Sequence, residues 1–183
     1  MHKLAVIYGS DREGRFCDVV ADWVLKQLAQ DQDLQLDRVD PLELRREPTG
    51  AGQAPLQERL ARADAFVVIT PEYNHSFPAA LKALIDSANE VWHAKPVGFV
   101  SYGGVSGGLR AVEQLRLVFA ELHAVTVRDQ VAFINAWDAF VEGRPADEAL
   151  AARSLRHMIA RLKWWSEALR QARHARPYAG APV

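Results

Sequence analysis

The chain has 183 residues, the usual size of one domain and enough to bury roughly two thirds of the surface that its unfolded form exposes. With 49% hydrophobic and 25% charged residues and a formal charge of -1, it reads as an ordinary globular protein without the basic footprint of a nucleic-acid binder, so its expected partners are small molecules. The single cysteine, Cys17, excludes an intrachain disulfide, no Cys/His group has zinc spacing, and no apolar run approaches the roughly 18 residues of a membrane span, so the expectation is a cytoplasmic protein without metal.

The first informative stretch is Leu4-Ala5-Val6-Ile7-Tyr8-Gly9-Ser10-Asp11-Arg12-Glu13-Gly14-Arg15. A β-branched apolar run breaks into a Gly-Ser turn, and a helical pattern follows from Phe16 to about Gln30, with Val20, Trp23, Val24 and Leu28 on its apolar stripe. A strand, a turn and a helix in that order direct free N–H groups into the turn, where Ser10, Arg12 and Arg15 add donors suited to phosphate oxygens. Gly9 and Gly14 have P-loop spacing, but Arg15 and Phe16 stand where Lys and Ser/Thr are required. Asp11 likewise breaks the Gly-x-Gly-x-x-Gly dinucleotide fingerprint, leaving a monophosphate as the ligand. An ordinary βα loop with two solvated arginines is the competing reading, and it stays open at this point.

Leu34 to Val39 alternates with period two, as an outer strand does, and Asp40-Pro41 ends it. A loop of mixed charge through Pro48, Thr49, Gly50, Gly52 and Pro55 is the expected place for a mobile flap. A short helix over Leu56 to Ala63 follows. Ala65 to Thr70 then reads as a central strand covered on both faces, ending in Pro71-Glu72-Tyr73-Asn74-His75-Ser76-Phe77-Pro78. A helix with Leu81, Leu84 and Ile85 leads to the strand Lys95 to Ser101, which opens into Tyr102-Gly103-Gly104-Val105-Ser106-Gly107-Gly108. So many glycines imply a close approach of backbone to something. Arg110 to Leu122 reads as a helix, Ala124 to Val127 as a short fifth strand, and Val131 to Phe140 fits neither pattern. A last helix over about Ala146 to Arg173 leaves residues 176–183 as an expected disordered tail, and residues 1–175 as one domain.

This alternation implies a doubly wound five-stranded parallel sheet of order 2-1-3-4-5 with helices on both faces. The three marked loops follow strands one, three and four, neighbours in that order, and would surround one crevice at the carboxyl edge of the sheet. Phosphate donors, an aromatic loop and a glycine wall together fit a planar heterocycle carrying one phosphate, for which FMN is the candidate.

Gly9-Ser10-x-Arg12-x-Gly14-Arg15, Thr70-Pro71-Glu72-Tyr73-Asn74-His75-Ser76 and Ser101-Tyr102-Gly103-Gly104-x-Ser106-Gly107-Gly108-x-Arg110-Ala111 together resemble the NADPH-dependent FMN reductase family, over roughly Lys3 to Val131. The resemblance implies a flavodoxin-like fold, bound FMN, homodimers or homotetramers, and two-electron reduction of a small acceptor such as a quinone or free flavin by NADPH or NADH. It places Gly9, Ser10, Arg12, Arg15 and Phe16 at the FMN phosphate, and Pro71, Glu72, Tyr73 and Asn74 along the isoalloxazine ring with Ser76 in support. Ser101, Gly103 and Gly104 close the other side. Many members carry Ser where Arg15 stands and Asn where Cys17 stands, so the phosphate here would be held more by charge than by hydroxyls. Asp11 is unfavourable beside a phosphate unless it points outward or pairs with an arginine.

Simpler readings stand beside these. Glu72 reads as a partner-subunit contact, an arginine's partner or a solvated carboxylate rather than a general acid, because hydride transfer to flavin needs no protein acid. Cys17 reads as an inert apolar residue, His75 as a substrate contact or a plain loop residue, and Arg110 as an NADPH-phosphate contact or a helix-end residue. Trp92, Trp164 and Trp165 read as packing or interface residues. The alternative function is a flavodoxin-like electron carrier serving protein partners, which the near-neutral charge and basic first loop disfavour.

Overall fold

A computed structural model describes residues 1–46 and 53–178; of the expected flap, Pro48, Thr49, Gly50 and Gly52 lie outside the described residues, as do residues 179–183 of the tail, while Pro55 falls in the helix Gln53–Arg62, which begins ahead of the expected Leu56. Five parallel strands, β1 (His2–Tyr8), β2 (Leu34–Val39), β3 (Ala65–Pro71), β4 (Pro96–Tyr102) and β5 (Val125–Phe133), form one sheet in the order β2-β1-β3-β4-β5. This is the flavodoxin-like arrangement that the alternation of elements implies.

Period-two side-chain alternation divides the core into two layers. On one face Leu4, Val6, Tyr8, Val67 and Ile69 pack against α1 (Cys17–Leu28) and the long terminal helix α7 (Glu148–Ala175). On the other, Ala5, Ile7, Phe66, Val68 and Phe99 meet α3 (Gln53–Arg62), α4 (Ala79–Asp86) and α5 (Leu109–Glu121). All seven residues of β3 and all seven of β4 are buried, as central strands covered on both sides must be. Trp92, on a short 3-10 turn (Glu90–Trp92), is fully buried against Phe66 and Phe119, as its packing reading expects.

Three elements differ from the sequence expectation. Pro41–Arg46 is a helix, α2, and not loop: Pro41 suits a first helical position, and the Asp40 carboxylate accepts from the Leu42 N–H at 2.9 Å. The fifth strand runs through Arg128 and Asp129 to Phe133, its pairing with β4 slipping between Val97 and Phe99; that irregularity hides the strand in the sequence pattern. Beyond it, the four-residue α6 (Ala136–Ala139) and a two-stranded hairpin, β6 (Phe140–Val141) and β7 (Arg144–Pro145), occupy the stretch left unassigned. At the tail, Tyr178 packs on the rings of His93 and His123, so that residue is ordered against the domain.

Candidate active site

At the end of β1 the Gly9 N–H bonds the Ile69 carbonyl at 2.7 Å, and a Cβ on Gly9 would stand 2.7 Å from that same oxygen. The turn is thereby clamped to β3, which only glycine permits. Ser10 is fully buried; its Oγ lies 3.1 Å from Tyr73 Oη and receives the Arg12 N–H at 3.4 Å. The Arg12 guanidinium, on the exposed rim, stacks 3.9 Å from the centre of the Tyr73 ring. First and second loops are thus joined through Ser10, Arg12 and Tyr73. Asp11 pairs with Arg45 at 2.9 Å, the arrangement that removes its conflict with a bound anion.

Arg15 has a different role from the one its position suggests. It is only 8% exposed, and its donors are taken: Nη1 and Nη2 bond Asp40 at 2.8 and 2.5 Å, Nη1 also bonds the Ser10 carbonyl, and Asp18 receives Nε at 2.9 Å. Burial disfavours the guanidinium charge, but Asp40 and Asp18 outweigh it and raise its pKa; burial likewise works against the Asp40 charge, yet Arg15 and the Leu42 N–H hold that carboxyl below its ordinary range. The geometry makes Arg15 a strut that shapes the turn and corrects its reading as a phosphate donor. The N–H groups of Gly14, Arg15 and Phe16 have no backbone acceptor among the described residues, so the turn itself presents donors.

In the second loop, Tyr73 and Ser76 exchange backbone hydrogen bonds at 2.8 and 3.0 Å around Asn74 and His75, whose φ values are 50° and 67°. Two positive φ values make this a type I′ turn, a conformation that asparagine tolerates well. Ser76 Oγ donates to Gln114 at 2.6 Å and the Gln114 amide bonds the His75 carbonyl at 2.7 Å, fastening the loop to α5. The Glu72 carboxylate accepts from the Arg110 N–H at 3.2 Å and from its guanidinium at 3.0 Å. Burial works against its charge, but bonds from Ser106 and Arg110 hold its pKa below the usual value. Glu72 is therefore an arginine's partner, and it caps the N-terminus of α5, where Gly108 has no side chain to do so.

The third loop rests on Ser101, fully buried, whose Oγ donates to the Gly107 carbonyl at 2.8 Å. Gly108 has φ 84°, and a Cβ there would meet the Ser101 Cβ at 2.7 Å. Gly104 differs: among the described residues beyond its chain neighbours, nothing lies within 4 Å of a Cβ placed on it. The loop also holds α6, since the Asn135 and Ala136 N–H groups bond the Gly104 and Gly103 carbonyls at 2.9 and 3.0 Å. That link brings in Trp137, which the sequence does not mark because Val131 to Phe140 follows neither the helical nor the strand period.

A cavity of about 230 Å³ forms where the loops meet, lined from the first by residues 12–16, from the second by Pro71, Glu72 and Tyr73, from the third by Tyr102 and Gly103, and by Trp137. Gly9, Ser10, Ser76 and Ser101 stand behind these as supports, while Asn74 and Gly104 are exposed outside it. Larger hollows of about 720 Å³ between α1 and α7 and about 700 Å³ beside β5 lie away from these loops. Turn N–H donors, one exposed arginine, an aromatic rim and the open face of Gly104 fit a planar ligand with an anionic end, and FMN is such a ligand.

Residues 2–138 match the model of the NADPH-dependent FMN reductase family. The chain belongs to that family. An NAD(P)H-dependent FMN reductase of Schizosaccharomyces pombe is 35% identical over 155 residues, covering 77% of each chain, and a quinone reductase of Pseudomonas putida is 30% identical over 67% of this chain and 73% of its own. Among solved structures, the flavoenzyme NAD(P)H:(acceptor) oxidoreductase of Paracoccus denitrificans superposes with a TM-score of 0.72 at 23% identity, over 91% of this chain and 98% of its own. A flavodoxin mutant of Pseudomonas aeruginosa does so at 0.60 and 21%, over 88% and 99%. Reductase and electron carrier share the fold, so the fold alone does not separate them. Family membership does: the chain is an NAD(P)H-dependent FMN oxidoreductase acting on a small-molecule acceptor, not a flavodoxin-like carrier.

Proposed function

We propose that FMN is held between the loops following β1, β3 and β4, with NADPH or NADH as electron donor and a quinone or free flavin as acceptor. The observation that carries this reading is the convergence of those three loops on one cavity rimmed by Arg12, Tyr73 and Trp137. Bound there, FMN supplies the two-electron chemistry. Arg12 and the turn N–H groups of Gly14, Arg15 and Phe16 hold the phosphate, and Ser10 stands behind them, tying the turn to Tyr73. Pro71, Glu72 and Tyr73 border the ring on one side and Gly103 lets it approach the backbone on the other, with Asn74 and Gly104 beside its exposed edge. The cavity is smaller than the roughly 300 Å³ at which small-molecule pockets usually begin, so a ring seated in it keeps an edge open to an acceptor.

A homodimer or homotetramer of one-domain subunits in the cytoplasm completes the proposal. No described helix is long and apolar enough to cross a membrane. Arg12→Ala tests the cradle: loss of one charge-assisted contact worth about 1.5–3 kcal/mol weakens FMN binding roughly 10- to 100-fold, read by fluorescence titration of the FMN-depleted protein. Unchanged affinity contradicts the assignment.

A further inference from the structure

We infer that Trp137 forms an acceptor subsite: its indole, exposed at the mouth of the cavity, is the platform on which the planar ring of a quinone lies as it approaches the bound flavin. The inference rests on the reading of that cavity as the flavin site and adds where, and on what, the acceptor is held. Trp137 lines the cavity yet is 65% exposed, an unusual state for so large an aromatic surface. The indole also has an aromatic backing. Its ring leans on Phe16 at 6.4 Å between centroids; Phe16 in turn meets Phe140 edge-on at 5.5 Å, and Phe140 meets Phe133 at 4.8 Å, a chain of rings running back to β5.

The backbone beneath the indole is equally constrained. Asn135, in the left-handed region at φ 46°, bends the chain out of β5 so that α6 docks on the glycine loop through the Gly103 and Gly104 carbonyls. Trp137 is therefore tied both to the glycine wall, through α6, and to the start of α1, through Phe16. An indole backed on one side and open on the other, on a backbone already docked, presents an aromatic surface at a reduced ordering cost. Ile134 and Val141, which precede and follow α6 in the chain, are also exposed and apolar, whereas the charged side chains lining the cavity come from the first two loops. This end of the site therefore matches a neutral, flat, apolar-bodied molecule rather than an anionic one. The reaction balances as NAD(P)H, a proton and quinone giving NAD(P)+ and hydroquinone: the hydride carries both electrons and one proton, and solvent supplies the other proton.

The test uses the FMN-loaded enzyme and two acceptors, tetramethyl-1,4-benzoquinone, which is planar, and ferricyanide, which has no ring to stack. In Trp137→Ala the ratio of kcat/KM for the quinone to that for ferricyanide falls at least fivefold, and Trp137→Phe recovers most of it. Calorimetric binding of the same quinone to the oxidised protein, with no nicotinamide present, weakens to a similar degree in Trp137→Ala. An unaltered ratio or an unaltered quinone affinity overturns the inference. So does a smaller oligomer of Trp137→Ala by light scattering, because the indole then covers a subunit interface. Failure of NAD(P)H to reduce the wild-type flavin counts instead against the proposed function, so the two failures are told apart.

Discussion

At the scale of single residues, two arginines one turn apart have opposite fates. Arg12 and Arg15 look equivalent in the sequence and both line the cavity, but Arg12 is exposed while the guanidinium of Arg15 is buried and committed to Asp40, just past β2, whose carboxylate has a matching fork geometry. The sequence does not reveal this, since Asp40 lies 25 positions away. A buried pair is costly to break on one side only, so Asp40→Asn lowers stability by about 3–5 kcal/mol in urea unfolding at pH 7. The pH dependence has a definite sign. Asp40 titrates lower in the folded protein than in the unfolded chain, so the contribution of the pair is complete above the ordinary carboxylate range of about pH 4 and is lost as pH falls through the lower folded value. The gap between wild type and variant thus narrows in acid; a constant gap from pH 7 to pH 3 contradicts the strut. Cys17, fully buried with its thiol pushed up to about 11 by burial, is the inert residue its setting suggests.

At the scale of elements, the glycine loop carries two glycines with different reasons to be there. Gly108 is required by the protein itself: φ is 84° and Ser101 and Tyr102 leave no room for a Cβ. Gly104 is crowded by none of the described residues, as its Cβ direction is empty. Gly108→Ala therefore costs more than about 1 kcal/mol in thermal or urea unfolding, whereas Gly104→Ala leaves stability within about 0.5 kcal/mol and weakens FMN binding. Equal stability losses in both variants contradict the claim that Gly104 makes room for a ligand. The central strands β3 and β4 are readable because full burial writes an unbroken apolar run. β5 is less so: it lies at the sheet edge and carries Arg128 and Asp129 where its register slips. α6 and its hairpin escape notice for a related reason, being held by the Gly103 and Gly104 carbonyls and by a chain of aromatic rings more than by any helical periodicity.

At the scale of the whole molecule, strand order and chain reversal bring three separately recognisable loops to one place. The sheet order and the site's general position follow from periodicity and turn chemistry, because parallel strands with right-handed crossovers leave few alternatives. Which side chains face the cavity does not follow, because that depends on pairings across the fold, such as Arg15 with Asp40 and Glu72 with Arg110. The proposed site passes electrons from a nicotinamide through FMN to a small acceptor. Its most direct test is an anaerobic titration of the FMN-loaded protein with NADPH, followed by the visible absorbance of the flavin. Bleaching with one equivalent of NADPH per FMN, and recovery of the colour on adding quinone, is the expected result; bound FMN that NADPH and NADH both leave oxidised would contradict the account.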